Sequence, residues 1–257
     1  MKIIEVTTNK QKHEFLKFAH KLSSDDKEWI APLDQDIEGV FDETKNVKFL
    51  EGEAKRWLII GDDNKTKGRI AAFFNKKTIS QTGKRSGGIG FFECINDQST
   101  ANLLFDTAIN WLKGKGLEAI EGPINFGEKD RFWGLMVSGF KNPSYMENYN
   151  PPYYQQLFEN YGFAKLYEQS TSEITVENFN FERFNKISSR VLNNPAYSFE
   201  HYVDSKLEKY ASDFVTIWNL AWANRPDFTP MTMDRVQNTL QALRPILRED
   251  LIWFAYA

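Results

Sequence analysis

The sequence predicts an α/β (α+β) protein: a mixed central sheet flanked by helices, with one complete domain and the start of a second, similar one. Three observations carry that expectation. The apolar runs at 57–60 and 69–74 flank an Asp62-Asp63-Asn64 turn and read as a hairpin. A strand near 88–95, a helical pattern and a strand at 117–121 form a strand–helix–strand unit, which implies parallel or nearly parallel strands in one sheet. From Tyr197 the pattern of a strand and then an amphipathic helix begins again.

Each element has a local cause. Residues 2–6 form the first strand, and Thr8 with Gln11 has the spacing of a capping box, in which each side chain satisfies an amide the other leaves bare. Phe15, Phe18, Ala19 and Leu22 then mark one buried helical stripe. Residues 23–53 mix acids, amides and scattered apolar groups, as a long, partly ordered excursion does. The third strand opens on Gly87-Gly88-Ile89-Gly90, which permits a bulge or a close backbone approach. Ser99 is the expected cap of the next helix, whose Leu104, Ala108, Trp111 and Leu112 share a face and which stops at Gly114 or Gly116. After a loop-rich stretch, Pro151 and Pro152 open a short helix at 153–161 that Gly162 closes, and a strand at 163–176 is expected to follow.

The expected organisation is a first domain at 1–177, a connecting helix at 178–196 carrying Phe184, Ile187 and Val191, and the start of a second domain at 197–257. In that second part a helix bearing Leu207, Tyr210, Phe214 and Trp218 is followed by a turn at 225–230, a helix with Val236 and Leu240, and a strand at 251–257. Phe199 and Trp253 have the same separation as Ile3 and Trp57, which suggests a tandem duplication. A terminal apolar strand would leave an unpaired edge, so the chain is expected to continue past Ala257 or to have that strand covered by another segment.

Composition narrows the function classes. Hydrophobic residues make up 41% and charged residues 26%, as in a globular protein with a packed core. A net charge of −3 gives no sign of a broad cationic face, so neither nucleic acid nor membrane is expected as a partner. Apolar runs are far shorter than the ~20 residues a membrane span needs. The lone Cys94 excludes an intramolecular disulfide and suits a cytoplasmic location.

The element order, together with the stretch Tyr154-Gln-Gln-Leu-Phe-Glu-Asn-Tyr-Gly-Phe163, resembles the acyl-CoA N-acyltransferase (GNAT) superfamily. Four short motifs resemble a bacterial branch of tandem GNAT-like proteins: Trp29-Ile-Ala-Pro-Leu33, Gly90-Phe-Phe-Glu-Cys94, Gly122-Pro-Ile-Asn125 and Tyr149-Asn-Pro-Pro-Tyr-Tyr154. The resemblance implies transfer of an acyl group from acetyl-CoA or another acyl-CoA to a small-molecule or peptide amine, without a metal. It places the cosubstrate in a splay between two parallel strands, here beside Phe92, Cys94 and Ile95, with its pyrophosphate on a helix N-terminus. The equivalent junction at 96–102 has no glycine, lysine or arginine and carries Asp97, so the first domain is expected to contribute acceptor contacts instead of the usual CoA grip. The superfamily's proton-donating tyrosine aligns with Phe158, which has no proton to give; Tyr153, Tyr154 and Tyr161 are nearby alternatives.

Glu93, on the central strand, is the candidate catalytic base, able to take the amine's proton directly or through water. Asn125 and Arg131 leave the end of a parallel strand on a glycine-punctuated loop and, with Tyr149 and Tyr153, are candidate substrate contacts. The three histidines lack the spacing of a triad or metal site. A non-catalytic module that binds a small molecule, peptide or partner chain is the alternative, and a homodimer is left open.

Overall fold

The computed structural model describes residues 1–76, 83–225 and 228–257, and the chain divides into two units, Met1–Ser170 and Thr171–Ala257. The first unit holds a five-stranded sheet in the order β1 (Lys2–Glu5), β2 (Gly52–Ile60), β3 (Thr66–Asn75), β4 (Ser86–Cys94) and β5 (Ala119–Glu121). Each of the first four strands is antiparallel to its neighbour, while β5 runs parallel to β4. The mixed sheet and the strand–helix–strand crossover are therefore as expected.

β2 and β3 carry continuous apolar runs at 57–60 and 70–74 because both faces of the sheet are covered there. Side chains of one strand alternate between faces: Trp57, Ile59, Ile70, Ala72 and Phe74 join one cluster, Leu58, Ala71 and Phe73 another. The first face is roofed by α3 (Gln98–Gly114) and α4 (Tyr153–Tyr161), through Leu104, Phe105, Leu157 and Phe158. On the other face Phe15 of α1 (Asn9–Leu22) meets Leu58, Ala71 and Phe73. The Thr8–Gln11 capping box at the start of α1 is present in full. Within the long excursion, α2 (Asp34–Val40) brings Glu38 to 2.5 Å from the buried Arg56, whose guanidinium lies 4.3 Å over the Phe41 ring.

Two glycines are required by close approach or turn geometry. A Cβ at Gly90 would come within 1.8 Å of the Ile124 carbonyl oxygen, so only glycine lets the loop after β5 lie against β4. Gly162 ends α4 at φ 111°, the left-handed closure that its position predicts.

Three expectations change. The cap of α3 is Asp97 instead of Ser99: its carboxylate accepts the Thr100 amide at 2.7 Å, two residues nearer the strand. No strand forms at 163–176; the segment is largely exposed and irregular, ending in a 3-10 turn at Val176–Asn178. Its polar run Glu168-Gln-Ser-Thr-Ser-Glu173 offers no alternating apolar face to bury, so nothing holds it on a sheet edge. The turn expected at 225–230 includes residues 226 and 227, which lie outside the described residues.

The second unit contains α5 (Phe181–Leu192), a two-stranded antiparallel ribbon of β6 (Ser198–His201) and β7 (Trp253–Tyr256), and between these strands α6 (Leu207–Trp222) and α7 (Met233–Leu243). The β6–β7 register repeats that of β1–β2 at a constant offset of 196 positions: Lys2↔Ile60 becomes Ser198↔Tyr256, and Glu5↔Trp57 becomes His201↔Trp253.

Candidate functional site

The β3–β4 ladder pairs Arg69 with Glu93, then slips a residue, so that Ala71 faces Gly90. This bulge sends Phe91 to φ 49° and re-aims the strand where a cavity of about 400 Å³ opens. That volume lies within the ~300–1,000 Å³ of small-molecule sites. Its walls include Trp29, Leu33 and Ile37 from the excursion, Phe91 and Phe92 from β4, and Phe132 and Met146 from the loop after β5. Arg69, Glu93 and Tyr154 line the same cavity.

These three side chains form one buried network. Tyr154 Oη donates to Glu93 Oε2 at 2.7 Å and accepts the Cys94 amide at 2.9 Å. Arg69 Nη2 reaches Glu93 Oε1 at 3.4 Å, while Nη1 donates to the Phe15 carbonyl at 2.5 Å. The Arg69 guanidinium lies 4.7 Å over the Phe15 ring, and its buried Nε has no hydrogen-bond partner among the described residues. Burial raises the Glu93 pKa against the opposing pull of Arg69 and the Tyr154 hydroxyl, and burial lowers that of Arg69. Burial, and then the Glu93 charge, hold the Tyr154 phenol well above its ordinary range, so it stays a hydrogen-bond donor. The long Arg69 contact leaves Glu93 Oε1 able to accept another donor from the cavity.

Two loops enclose this floor. Residues 29–33 and 143–150 both line the cavity, and side-chain bonds tie their neighbourhoods together. Tyr149 donates to Asp26 at 2.8 Å, Tyr145 to Asp36 at 2.7 Å, and Asn142 Nδ2 to the Glu28 carbonyl at 2.9 Å. Burial, followed by the bond to Asp26, pushes the Tyr149 phenol up to about 12. Asn148 and Asn150 also line the cavity, but their amides are engaged by the backbone of Gly134 and Met136.

Of the residues the sequence singles out, Glu93, Phe92 and Tyr149 lie on the cavity wall. Cys94 is fully buried, and burial pushes its thiol up to about 12, so it is an inert thiol. Tyr153 Oη donates to the Cys94 carbonyl at 2.7 Å, and the Ile95 amide is bonded to Lys67 of β3. Asn125 is buried outside the cavity wall, its Oδ1 without a partner among the described residues, and Arg131 is exposed beside Asp130 at 3.6 Å. The structure brings neither to Glu93. Sequence reasoning missed Arg69 and left Tyr154 as one of several tyrosines. The signal for Arg69 was a cation at the head of the apolar run 69–74, a position where burial demands a partner.

The fit of an acyl-CoA to this unit can be judged on two seats. At the first, both polar backbone groups of Cys94 are taken, the amide by Tyr154 and the carbonyl by Tyr153. At the second, the start of α3, Asp97 already supplies the anion: its carboxylate accepts from Ser99 Oγ at 2.6 Å and from the Thr100 amide and hydroxyl at 2.7 and 2.5 Å. These bonds hold Asp97 below the usual carboxylate range, and a diphosphate there would meet a fixed negative charge. The residues present do not fit the cosubstrate in that place. Among the described residues there is no cluster of three His, Cys, Asp or Glu able to hold a metal ion, and no helix long and apolar enough to cross a membrane.

No family model matches the chain. It is 25% identical to the bacterial ceramide synthase of Caulobacter vibrioides over 258 aligned positions, covering 99% of this chain and 66% of that protein. It is 23% identical to protein YghO of Escherichia coli over 255 positions, covering 94% of this chain and 61% of that one. The chain thus spans a little under two thirds of the length of these relatives. A predicted acetyltransferase of Clostridium acetobutylicum, solved with acetyl-CoA, is similar to 70% of this chain over 98% of its own, at 12% identity and a TM-score of 0.41.

Proposed function

We propose that the protein takes part in N-acylation of an amine by an acyl-CoA, and that the first unit holds the amine. One observation carries this reading: Glu93, at the floor of a largely apolar cavity, is locked by Tyr154 on Oε2, while Oε1 has only the long 3.4 Å contact from Arg69 and keeps acceptor capacity for a ligand. A carboxylate so placed can accept a hydrogen bond from the amine and remove its proton as the new bond forms. The Tyr154 hydroxyl fixes the rotamer of Glu93, which limits the geometric search of the bound amine.

The walls favour an acceptor whose body is apolar. Ceramide, the product named for one relative, is an N-acylated long-chain amino alcohol, and a long-chain amine is therefore the acceptor class proposed here. Because the start of α3 does not suit a diphosphate, no step of acyl-CoA binding is assigned to the first unit. The test is to incubate the protein with a long-chain amine and an acyl-CoA and to look for the amide by mass spectrometry. Amide formation that Glu93→Gln abolishes supports the reading; amide formed equally well by that variant ends the role of Glu93.

The occupied backbone groups of Cys94 favour a second reading, in which the cavity binds the amine without chemistry. Saturable amine binding by calorimetry with no amide product under any acyl-CoA would select it.

A further inference from the structure

We propose that α5 is a docking helix for an anionic membrane surface. The helix starts at a side-chain cap, with Asn180 Oδ1 accepting the Arg183 amide at 3.0 Å. Phe184, Ile187 and Val191 recur at i, i+3 and i+7, forming one stripe along it. They are 49%, 47% and 38% exposed, far from the burial such a stripe has in a packed core. Arg183, Lys186 and Arg190 repeat the same spacing one position earlier, so a cationic stripe runs beside the apolar one, turned by about 100° round the axis. The three cations line a shallow groove with Asn180, Glu182 and Ile187.

The charges are available. Lys186 bonds Glu182 at 2.7 Å, while Arg183 and Arg190 have no carboxylate partner among the described residues. At the head of the helix Phe179 stacks on Phe184 at 4.5 Å and meets Phe181 edge-on at 4.9 Å, giving a cluster of rings suited to the headgroup–acyl boundary. An apolar stripe with guanidinium groups along its flank matches a surface of acyl chains bordered by phosphates, and a water-facing helix gains nothing from the pairing. The charge is what selects the partner. α6 also exposes Ile217 and Leu220, but its charged side chains are Glu208, Lys209 and Asp213, so its exposed face carries no such complementarity. The net charge of −3 for the whole chain averages this local stripe away.

The test is flotation of the full chain with phosphatidylcholine vesicles and with phosphatidylcholine–phosphatidylglycerol vesicles. The expected result is capture by the anionic vesicles only, reversed by salt, and weakened roughly fivefold by each of Arg183→Gln and Arg190→Gln. Ile187→Asp is expected to abolish it. The arginine variants alter exposed side chains alone, so they remain informative where Ile187→Asp fails to fold. Failure to float with anionic vesicles, equal capture by both kinds, or indifference to both arginine variants overturns the proposal. So does a monomer–dimer shift on Phe184→Ala without loss of flotation, since the stripe would then face a second copy of this chain.

Discussion

Trp57 and Trp253 occupy the same place in two strand pairs of identical register, yet Trp57 is 6% exposed and Trp253 61%. β2 has β1 and β3 on its two sides and packs with α3, whereas β7 is paired among the described residues only with β6. The comparison teaches that a strand's own sequence sets its pairing and alternation, while the burial that stabilises it comes from neighbours distant in sequence. The second unit still builds a small core of its own from Tyr202, Tyr210 and Phe254.

The largest expected effect breaks the comparison most directly. Trp57→Ala removes a buried ring and is expected to cost about 3–5 kcal/mol, whereas Trp253→Ala stays within about 0.5 kcal/mol, both read by urea unfolding. Equal losses would mean that β7 is as well packed as β2. Next in size, Glu93→Gln is expected to lower amide formation by roughly 10²-fold or more while amine binding persists. Because burial raises the Glu93 pKa, the carboxylate forms at a pH above its ordinary 4.5, and the acid limb of the rate profile is expected above that value. A limb at or below 4.5, measured on the wild-type protein, would remove Glu93 as the base.

A smaller effect concerns the cap of α3. Asp97 titrates below its ordinary value of 3.8 in the folded state, chiefly through the Ser99 and Thr100 hydroxyls. Its contribution is therefore fully present above the unfolded value and is lost as pH falls through the folded one. Asp97→Ala is expected to cost about 1 kcal/mol at neutral pH, and the gap to wild type should close in acid. Smallest of all, Thr8→Ala is expected to cost about 1 kcal/mol or less, because a capping box is lost from α1. Lys206→Ala, at the start of α6 where no side chain caps the helix, should leave the melting temperature unchanged. A matching drop in both would show that the caps are not what separates the two helix starts.

Much of the fold was legible because its signals are local. The Thr8–Gln11 box, the Gly162 closure and the continuous apolar runs of β2 and β3 each follow from a few adjacent residues. The strand expected at 163–176 failed because its apolar residues give way to the polar run 168–173, which has no face to bury on a sheet edge. Ser99 and Asp97 were both chemically able to cap α3, and only the path of the chain out of β4 selects the residue whose oxygen reaches the Thr100 amide.

The site divides along the same line. Glu93 stood out as an acid on a central strand. Its partners did not stand out, because Arg69 lies 24 positions away and Tyr154 lies 61 positions away. The sequence by itself determined most of the strands and helices, the caps at Thr8 and Gly162 and which side chains are apolar, since these depend on backbone sterics and on periodicity within one element. Only the tertiary structure decided that β3 register sets Arg69 opposite Glu93, that α4 lands with Tyr154 on both Glu93 and the Cys94 amide, and that Asn125 and Arg131 fall away from the cavity. Those outcomes depend on how whole elements pack, where a slip of one residue turns a side chain to the opposite face of the sheet.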